Sequence, residues 1–121
     1  MKTILIVEDV QDNRELLRQF LEGEYRIVEA ADGKRGLELA VEIRPDLILM
    51  DLSLPLLDGW QAATAIKAND QLRGVPIVAI TAHAMVGDQE KALQAGCDAY
   101  IAKPVDFDEL EQLLKRLLGS K

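Results

Sequence analysis

Five polar side chains stand where apolar runs of the sequence end, each at a point at which a buried strand would stop. Taken singly, an Asp in such a place commonly serves a turn, a Thr favours strands, and a Lys before a proline is commonly a solvated charge. Their combination at successive strand ends is harder to explain by local structure and points to shared chemistry. The residues are Glu8 and Asp9 after 3–7, Asp51 after 47–50, Thr81 after 77–80 and Lys103 at the end of 99–103.

The chemistry that these side chains could share is phosphoryl capture. Three converging carboxylates would repel one another, and Mg²⁺ relieves such repulsion at a site with few protein oxygens and several retained waters. With Glu8 and Asp9 holding the cation, Asp51 would lie beside both Mg²⁺ and the ammonium of Lys103. An acyl-phosphate forms in this arrangement, because a carboxylate attacks phosphorus while cations neutralise the phosphoryl oxygens. Thr81 can then donate a hydrogen bond to the product.

Strands and helices alternate along the chain, and this alternation would bring those residues together. The predicted strands cover 3–7, 25–30, 47–51, 75–81 and 99–103, and each is followed by a helical pattern. The alternation predicts a doubly wound α/β fold, (βα)5, in which a parallel five-stranded sheet carries helices on both faces. Ligands of such sheets bind outside the carboxyl ends of the strands. The apolar runs at 3–7, 47–50 and 77–80 are typical of central strands, and the more polar run at 25–30 of an edge.

The helical patterns carry capping signals. Asp12 and Glu15 have the spacing of a capping box, and Asp106 and Glu109 repeat it before the last helix. Asp32 can cap the second helix, and the third and fourth helices are predicted at 62–68 and 88–96. The apolar stripes are Leu16, Leu17, Phe20 and Leu21 in the first helix, Leu37, Ala40 and Val41 in the second, and Leu110, Leu113, Leu114 and Leu117 in the last.

Composition restricts the class of protein. The 121 residues suit a single domain, 1–121, and 49% apolar with 29% charged residues is ordinary for a soluble globular protein. A net charge of −7 argues against nucleic acid and anionic membrane as direct partners. The single Cys97 forms no internal disulfide, which favours a reducing compartment. Without a run of roughly 18 apolar residues or a signal-peptide pattern, we expect a complete, cytoplasmic protein.

Four motifs in order resemble the receiver (CheY-like) domain of two-component response regulators, of the single-domain type. They are "VED" at 7–9, "LILMDLSLPLLDGW" at 47–60, "AITA" at 79–82 and "AYIAKPVD" at 99–106, and the resemblance covers the whole chain. Each motif is weak alone, whereas the ordered set is specific. The resemblance implies the strand order 2-1-3-4-5 of flavodoxin-like and CheY-like folds.

The resemblance also implies roles for individual residues. Asp51 would be the phospho-acceptor and Lys103 the lysine that binds the phosphoryl group. Thr81 and Tyr100 would form the switch, with Tyr100 turning inward when Thr81 moves. The Lys103–Pro104 peptide bond would be cis. The implied Mg²⁺ ligands are Glu8, Asp9, Asp51 and the backbone carbonyl of Ser53.

As a receiver, the chain would take part in a phosphorelay. A phosphohistidine on a histidine kinase or histidine phosphotransfer protein would donate to Asp51. The chain would catalyse only its own phosphorylation and slow dephosphorylation, and is not expected to be an enzyme otherwise. The new dianion would draw in Thr81 and shift a face made by the fourth helix, fifth strand and fifth helix, which would contact a downstream protein. With no output domain after Lys121, output would require such a contact, whether the chain is a stand-alone regulator or the receiver of a hybrid kinase.

Rival functions fit the same residues less well. A haloacid-dehalogenase-type hydrolase needs a second Asp two residues after the nucleophile, where this chain has Ser53. A flavodoxin-type FMN site would place an anion against Glu8 and Asp9. The remaining alternative is a degenerate receiver, a protein-interaction module that works without phosphorylation, although such members should lack the acids or the lysine.

The sequence leaves the roles of three positions open. Ser53 and His83 lie two residues after Asp51 and Thr81, where receivers often tune hydrolysis of the acyl-phosphate, yet neither side chain clearly orients an attacking water. His83 fits an ordinary exposed loop residue at least as well, and Tyr100 fits a half-buried strand aromatic. The lifetime of a phosphorylated state is therefore left open by the sequence.

Overall fold

The computed structural model describes residues 1–51, 59–81 and 96–119, with side chains described in these ranges except at 59–62 and 81. The strands are β1 (Thr3–Val7), β2 (Arg26–Ala30), β3 (Leu47–Asp51), β4 (Ile77–Thr81) and β5 (Ala99–Ala102). The helices are α1 (Gln11–Leu21), α2 (Gly33–Ile43), α3 (Gly59–Ala68) and α4 (Phe107–Leu118), the last being the fifth helix predicted from the sequence. Of the predicted fourth helix, only Gly96 lies within the described residues. None of the helices in these ranges is long and apolar enough to span a bilayer.

The strands form one parallel sheet in the order β2-β1-β3-β4-β5, which confirms the order implied by the resemblance. The three most apolar runs are the inner strands, and the more polar β2 is an edge, as predicted. Every residue of β3 is buried, Asp51 included. The sheet therefore delivers a carboxylate from its most enclosed strand.

Alternate residues of each strand point to opposite faces of the sheet, and two core clusters result. Leu5 belongs to a cluster that extends into α2 and α3 and includes Leu39. Its neighbour Ile6 belongs to a second cluster that extends into α1 and α4 and includes Leu17 and Leu110. Helices thus cover both faces, which is the doubly wound architecture that the alternation predicts.

The second and last helices begin where the sequence predicts. The Asp32 carboxylate accepts a hydrogen bond from the Arg35 N–H at 2.8 Å. The Asp106 carboxylate accepts from the N–H groups of Asp108 and Glu109 at 3.0 and 3.2 Å. In both helices a side-chain oxygen satisfies donors that the first turn leaves without intrahelical partners.

The start of α1 differs from the prediction. The helix begins at Gln11, with the extended residue Val10 as its N-cap and no side-chain cap hydrogen bond. Asp12 therefore lies inside the first turn, and the capping box predicted from Asp12 and Glu15 is wrong. The carboxylate of Asp12 still suits its place, because acidic side chains are favourable near helix N-termini.

The apolar stripes of α1 and α2 are only partly buried. In α1, Leu17 and Leu21 face the sheet, whereas Leu16 is 55% and Phe20 is 39% exposed. In α2, Val41 is likewise exposed. Phe20 finds a partial partner in Phe107 of α4, with ring centroids 4.7 Å apart. The apolar stripes predicted for α1 and α2 thus include side chains that remain exposed to solvent.

Candidate functional site

The carboxyl ends of β1, β3, β4 and β5 meet at one edge of the sheet, because the strands are parallel. Glu8 follows β1 directly, Asp51 is the last residue of β3, and Lys103 follows β5 directly. Thr81 ends β4 at the same edge, opposite Ala102 of β5, although its side chain is not described. Three of the predicted side chains are therefore brought together, and the backbone of the fourth lies beside them.

Lys103 connects two buried carboxylates. Its Nζ donates to Glu8 Oε1 at 2.9 Å and to Asp51 Oδ2 at 3.2 Å. The side chains of Glu8 and Asp51 are each 3% exposed, and that of Lys103 is 23% exposed. Buried charges persist only when they are paired, so a single ammonium here compensates two carboxylates that arrive from different strands.

Asp9 completes an acidic cluster at the mouth of this site. One carboxylate oxygen from each of Glu8, Asp9 and Asp51 lies within 4.8 Å of the others, and Asp9 is exposed to solvent. Oxygen donors in this number, with an open side for water, fit a hard divalent cation such as Mg²⁺. Three carboxyl groups lie here with the ammonium of Lys103, so a bound divalent cation would relieve the repulsion between their carboxylate forms.

The ionisation of the site reflects this crowding. The pKa of Glu8 is raised from 4.5 to about 7, chiefly because burial disfavours its anion and also because it shares a hydrogen bond with Asp51. For Lys103, burial alone would lower the pKa, but the hydrogen bonds and charges of Glu8 and Asp51 outweigh burial and raise it. Lys103 therefore stays an ammonium, whereas a further positive charge beside Glu8 would favour its carboxylate form.

Val10 of the loop between β1 and α1 holds the side chain of Glu8, and Arg14 of α1 holds its backbone. The Val10 N–H donates to Glu8 Oε2 at 3.2 Å, and Arg14 Nη1 donates to the Glu8 carbonyl at 2.9 Å. Arg14 was not among the residues predicted from the sequence. A signal for it exists, because Arg14 lies three and seven residues before the buried Leu17 and Leu21, and a charged residue on a buried stripe requires a partner.

An open groove of about 470 Å³ leads to the site along α1. Glu8 and Lys103 line it together with mostly apolar side chains from α1, β4, the segment after β5 and the start of α4. The exposed Leu16 is one of these side chains. The lining residues other than Glu8 and Lys103 are Asn13, Leu16, Leu17, Ile80, Pro104, Val105 and Phe107.

The remaining predicted residues divide between described and undescribed parts of the chain. Tyr100 lies in β5, half-buried and packed against the core cluster of α2 and α3. The Lys103–Pro104 peptide bond is cis. Ser53 and His83 lie outside the described residues, so their predicted roles in metal binding and hydrolysis stay predictions.

The site as a whole can hold a divalent cation, and it can present the carboxylate of Asp51 beside both that cation and the ammonium of Lys103. Asp51 is fixed at the end of an inner strand, and Lys103 lies against one of its oxygens. A carboxylate held in this way is suited to attack an electrophile that carries negative charge of its own, such as a phosphoryl group.

Comparison with known proteins gives a consistent family assignment. A family model of the response regulator receiver domain matches residues 4–115. The polar-differentiation response regulator DivK of Brucella anthropi is 42% identical to this chain over 119 residues, covering 98% of this chain and 97% of that protein.

Solved structures of receiver domains share the fold of this chain. The receiver domain of the sensor histidine kinase PA1611 from Pseudomonas aeruginosa, with a magnesium ion coordinated in its active-site cleft, is 43% identical, with a TM-score of 0.90 over 98% of both chains. A chain in the co-crystal of the Saccharomyces cerevisiae histidine phosphotransfer protein Ypd1 with the receiver domain of its response regulator Ssk1 is 33% identical. Its TM-score is 0.89 over 96% of this chain and 88% of that chain.

Proposed function

Because this chain belongs to the response regulator receiver domain family of two-component signal transduction, we propose that it is a functional phospho-acceptor and that Asp51 carries the phosphoryl group. The observation that supports this most directly is the position of Lys103 Nζ between Glu8 and Asp51. A degenerate receiver would have no need to keep an ammonium against a buried carboxylate at the end of β3.

In the proposed transfer, an oxygen of Asp51 attacks phosphorus and the phosphorus–nitrogen bond of a phosphohistidine breaks. The imidazole leaves with the bonding electron pair and takes up a proton. Lys103 is within hydrogen-bond distance of Asp51 Oδ2. Its ammonium would therefore be close enough to neutralise negative charge on the phosphoryl oxygens during the transfer. The buried surroundings of Asp51 strengthen this interaction, because little water screens it.

The residues present fit a bound Mg²⁺ ion. Glu8, Asp9 and Asp51 would hold it, together with the backbone carbonyl of Ser53 that the resemblance to receivers implies. When bound, Mg²⁺ would neutralise negative charge on the transferred group. The raised pKa of Glu8 supports a cation at this place, because a neighbouring positive charge favours the carboxylate form.

The donor and the target that we propose are both proteins. A phosphohistidine of a histidine kinase or histidine phosphotransfer protein would reach Asp51, and the yeast pair of phosphotransfer protein and receiver supports such a partner. Thr81 and Tyr100 would pass the change to a face made by the predicted fourth helix, β5 and α4, where a downstream protein binds. The net charge of −7 supports neither nucleic acid nor an anionic membrane as a partner.

We propose no further enzymatic activity. The chain would catalyse only its own phosphorylation and a slow dephosphorylation, with Ser53 and His83 as the positions that tune the second step. The cytoplasm is the proposed location, which the unpaired, buried thiol of Cys97 supports.

Intact-mass measurement after incubation with a small phosphodonor and Mg²⁺ tests the proposed function. The wild type should gain the mass of one phosphoryl group, and EDTA or the Asp51→Asn change should abolish the gain. Asp70→Asn is the matched control, since Asp70 is a highly exposed aspartate that pairs with its neighbour Arg73. A wild type without an adduct would favour the phosphorylation-independent interaction module.

A further inference from the structure

Arg14 bridges the loop after β1 to the edge strand β2. Its Nη1 donates to the Glu8 carbonyl at 2.9 Å, and its Nε lies 3.3 Å from Glu29 Oε1. The Arg14 side chain is 19% exposed, so most of it is enclosed between α1 and the sheet. The Nη1 contact is a hydrogen bond and the Nε contact is an ion pair, and because a guanidinium is planar and rigid, the two contacts together fix its orientation.

The hydrogen bonds around Glu8 fix the peptide units on both sides of it. Its N–H donates to the Ala30 carbonyl at 3.0 Å, which extends the contact of β1 with β2 by one residue. Its carbonyl accepts from Arg14. Because a peptide bond is planar, the Glu8 carbonyl and the Asp9 N–H turn together. Holding this carbonyl therefore sets the direction in which Asp9 leaves the strand.

We propose that Arg14 is a positioning residue for the metal site: it holds the peptide unit between Glu8 and Asp9 so that both carboxylates face the same cation. The inference rests on the proposed function, because it concerns the Mg²⁺ site of that function. Arg14 acts through the backbone of Glu8, and its own charge is compensated by Glu29.

Geometry and charge predict opposite effects of removing Arg14. If Arg14 acted only through its positive charge, its loss would tighten Mg²⁺ binding, because a cation near the site repels another. If Arg14 positions the acidic pair, its loss weakens Mg²⁺ binding. Loss of an outer partner of metal ligands typically weakens binding by about tenfold or more.

The test is the Mg²⁺ dissociation constant, measured by NMR titration of the full chain labelled with ¹⁵N. In Arg14→Met we expect it to rise by about tenfold. In Arg14→Lys, which keeps the charge but lacks the planar fork, we expect a smaller rise. Thermal unfolding measured beside each titration separates misfolding from loss of positioning, and Arg14→Lys decides the question if Arg14→Met does not fold.

Arg18→Met is the matched control. Arg18 lies one turn further along α1, its Nε is 4.0 Å from Oε2 of the same Glu29, and within the described residues this Nε has no hydrogen-bond partner. Its removal also takes one positive charge from Glu29 but leaves the Glu8 carbonyl held. We expect an unchanged Mg²⁺ dissociation constant.

Each outcome decides the proposal. Weaker Mg²⁺ binding in the Arg14 variants but not in Arg18→Met supports positioning. An unchanged or tighter constant in the Arg14 variants overturns it, while a phosphorylated wild type would leave the proposed function standing. A wild type that binds no Mg²⁺ overturns the inference together with the proposed metal site.

Discussion

Lys103 Nζ lies 3.2 Å from Asp51 Oδ2, although 52 residues separate the two in the sequence. The contact spans β4, since Asp51 ends β3 and Lys103 follows β5. Before any transfer, the lysine thus already lies against the carboxylate that would accept the phosphoryl group in the proposed reaction. In the proposed reaction it exchanges a carboxylate partner for a more highly charged phosphoryl group, which strengthens its attraction.

Replacing Lys103 with Met should destabilise the metal-free protein. Glu8 and Asp51 would lose the ammonium that they share, and we expect the free energy of unfolding to fall by about 2 kcal/mol. Denaturant unfolding measures this, and added Mg²⁺ should restore most of the loss. Lys115→Met is the control, because Lys115 forms an exposed pair with Glu111 whose loss should leave the free energy of unfolding nearly unchanged. Equal stability of the two variants would contradict the prediction.

Mg²⁺ affinity should depend on pH through Glu8. Its pKa is raised from 4.5 to about 7, so between these values the folded protein holds a proton that the unfolded chain has released. The contribution of Glu8 to the free energy of unfolding therefore falls as pH rises through this range. Mg²⁺ needs the deprotonated carboxylate, so its affinity should rise by up to about tenfold per pH unit below the pKa and level off above it.

Titration of Mg²⁺ at a series of pH values checks this dependence. Glu8→Gln is the informative variant, since its remaining affinity should vary little over the same range. A wild-type affinity that is flat across the pKa of Glu8 would show that Glu8 does not hold the cation.

Lys67 should stabilise the sheet at the amino ends of β4 and β5, opposite the candidate site. Its Nζ donates to the carbonyls of Val75 and Arg73 at 2.9 and 3.2 Å and to Asp98 Oδ2 at 3.0 Å. Lys67→Met removes the side-chain donor of the two carbonyls and leaves Asp98 Oδ2 with only its hydrogen bond from the Ile77 N–H, so we expect the free energy of unfolding to fall by about 2 kcal/mol. Arg73→Met removes only an exposed pair with Asp70 and should cost under about 0.5 kcal/mol. Similar losses in both variants would refute a special role of Lys67.

Cys97 should react slowly with thiol reagents in the folded protein. It is buried two residues before β5, and burial raises the pKa of its thiol to about 11. At mildly alkaline pH the thiolate is therefore scarce as well as enclosed, and thiolate is the reactive form. Labelling followed by mass should be complete in guanidinium and slow without it. Rapid labelling of the folded protein would mean that the segment before β5 opens easily.

The sequence was sufficient for the architecture because the architecture depends on strong, repeated patterns. Buried strands such as 47–50 need continuous apolar residues, and the polar residue that ends each run marks the site edge. The positions of Glu8, Asp51 and Lys103 follow from that rule alone. The strand order required the resemblance to receivers, since hydrophobic runs do not state which strands are neighbours.

The sequence was insufficient for features that depend on how several secondary-structure elements are arranged relative to one another. Asp12 and Glu15 have the spacing of a capping box, but the path of the chain after β1 makes Val10 the N-cap residue. Leu16 and Phe20 continue an apolar stripe, but the sheet is too narrow to cover them. The role of Arg14 depends on a backbone carbonyl of another element, which no side-chain pattern displays.

The most direct test of phosphoryl capture is the location of the adduct. After incubation with a small phosphodonor and Mg²⁺, borohydride reduces an aspartyl-phosphate to homoserine, and peptide mass spectrometry finds the changed residue. We expect homoserine at position 51 alone, only when Mg²⁺ is present. A modified residue elsewhere, or the same modification without Mg²⁺, would contradict the proposal that Asp51 is a metal-dependent phospho-acceptor.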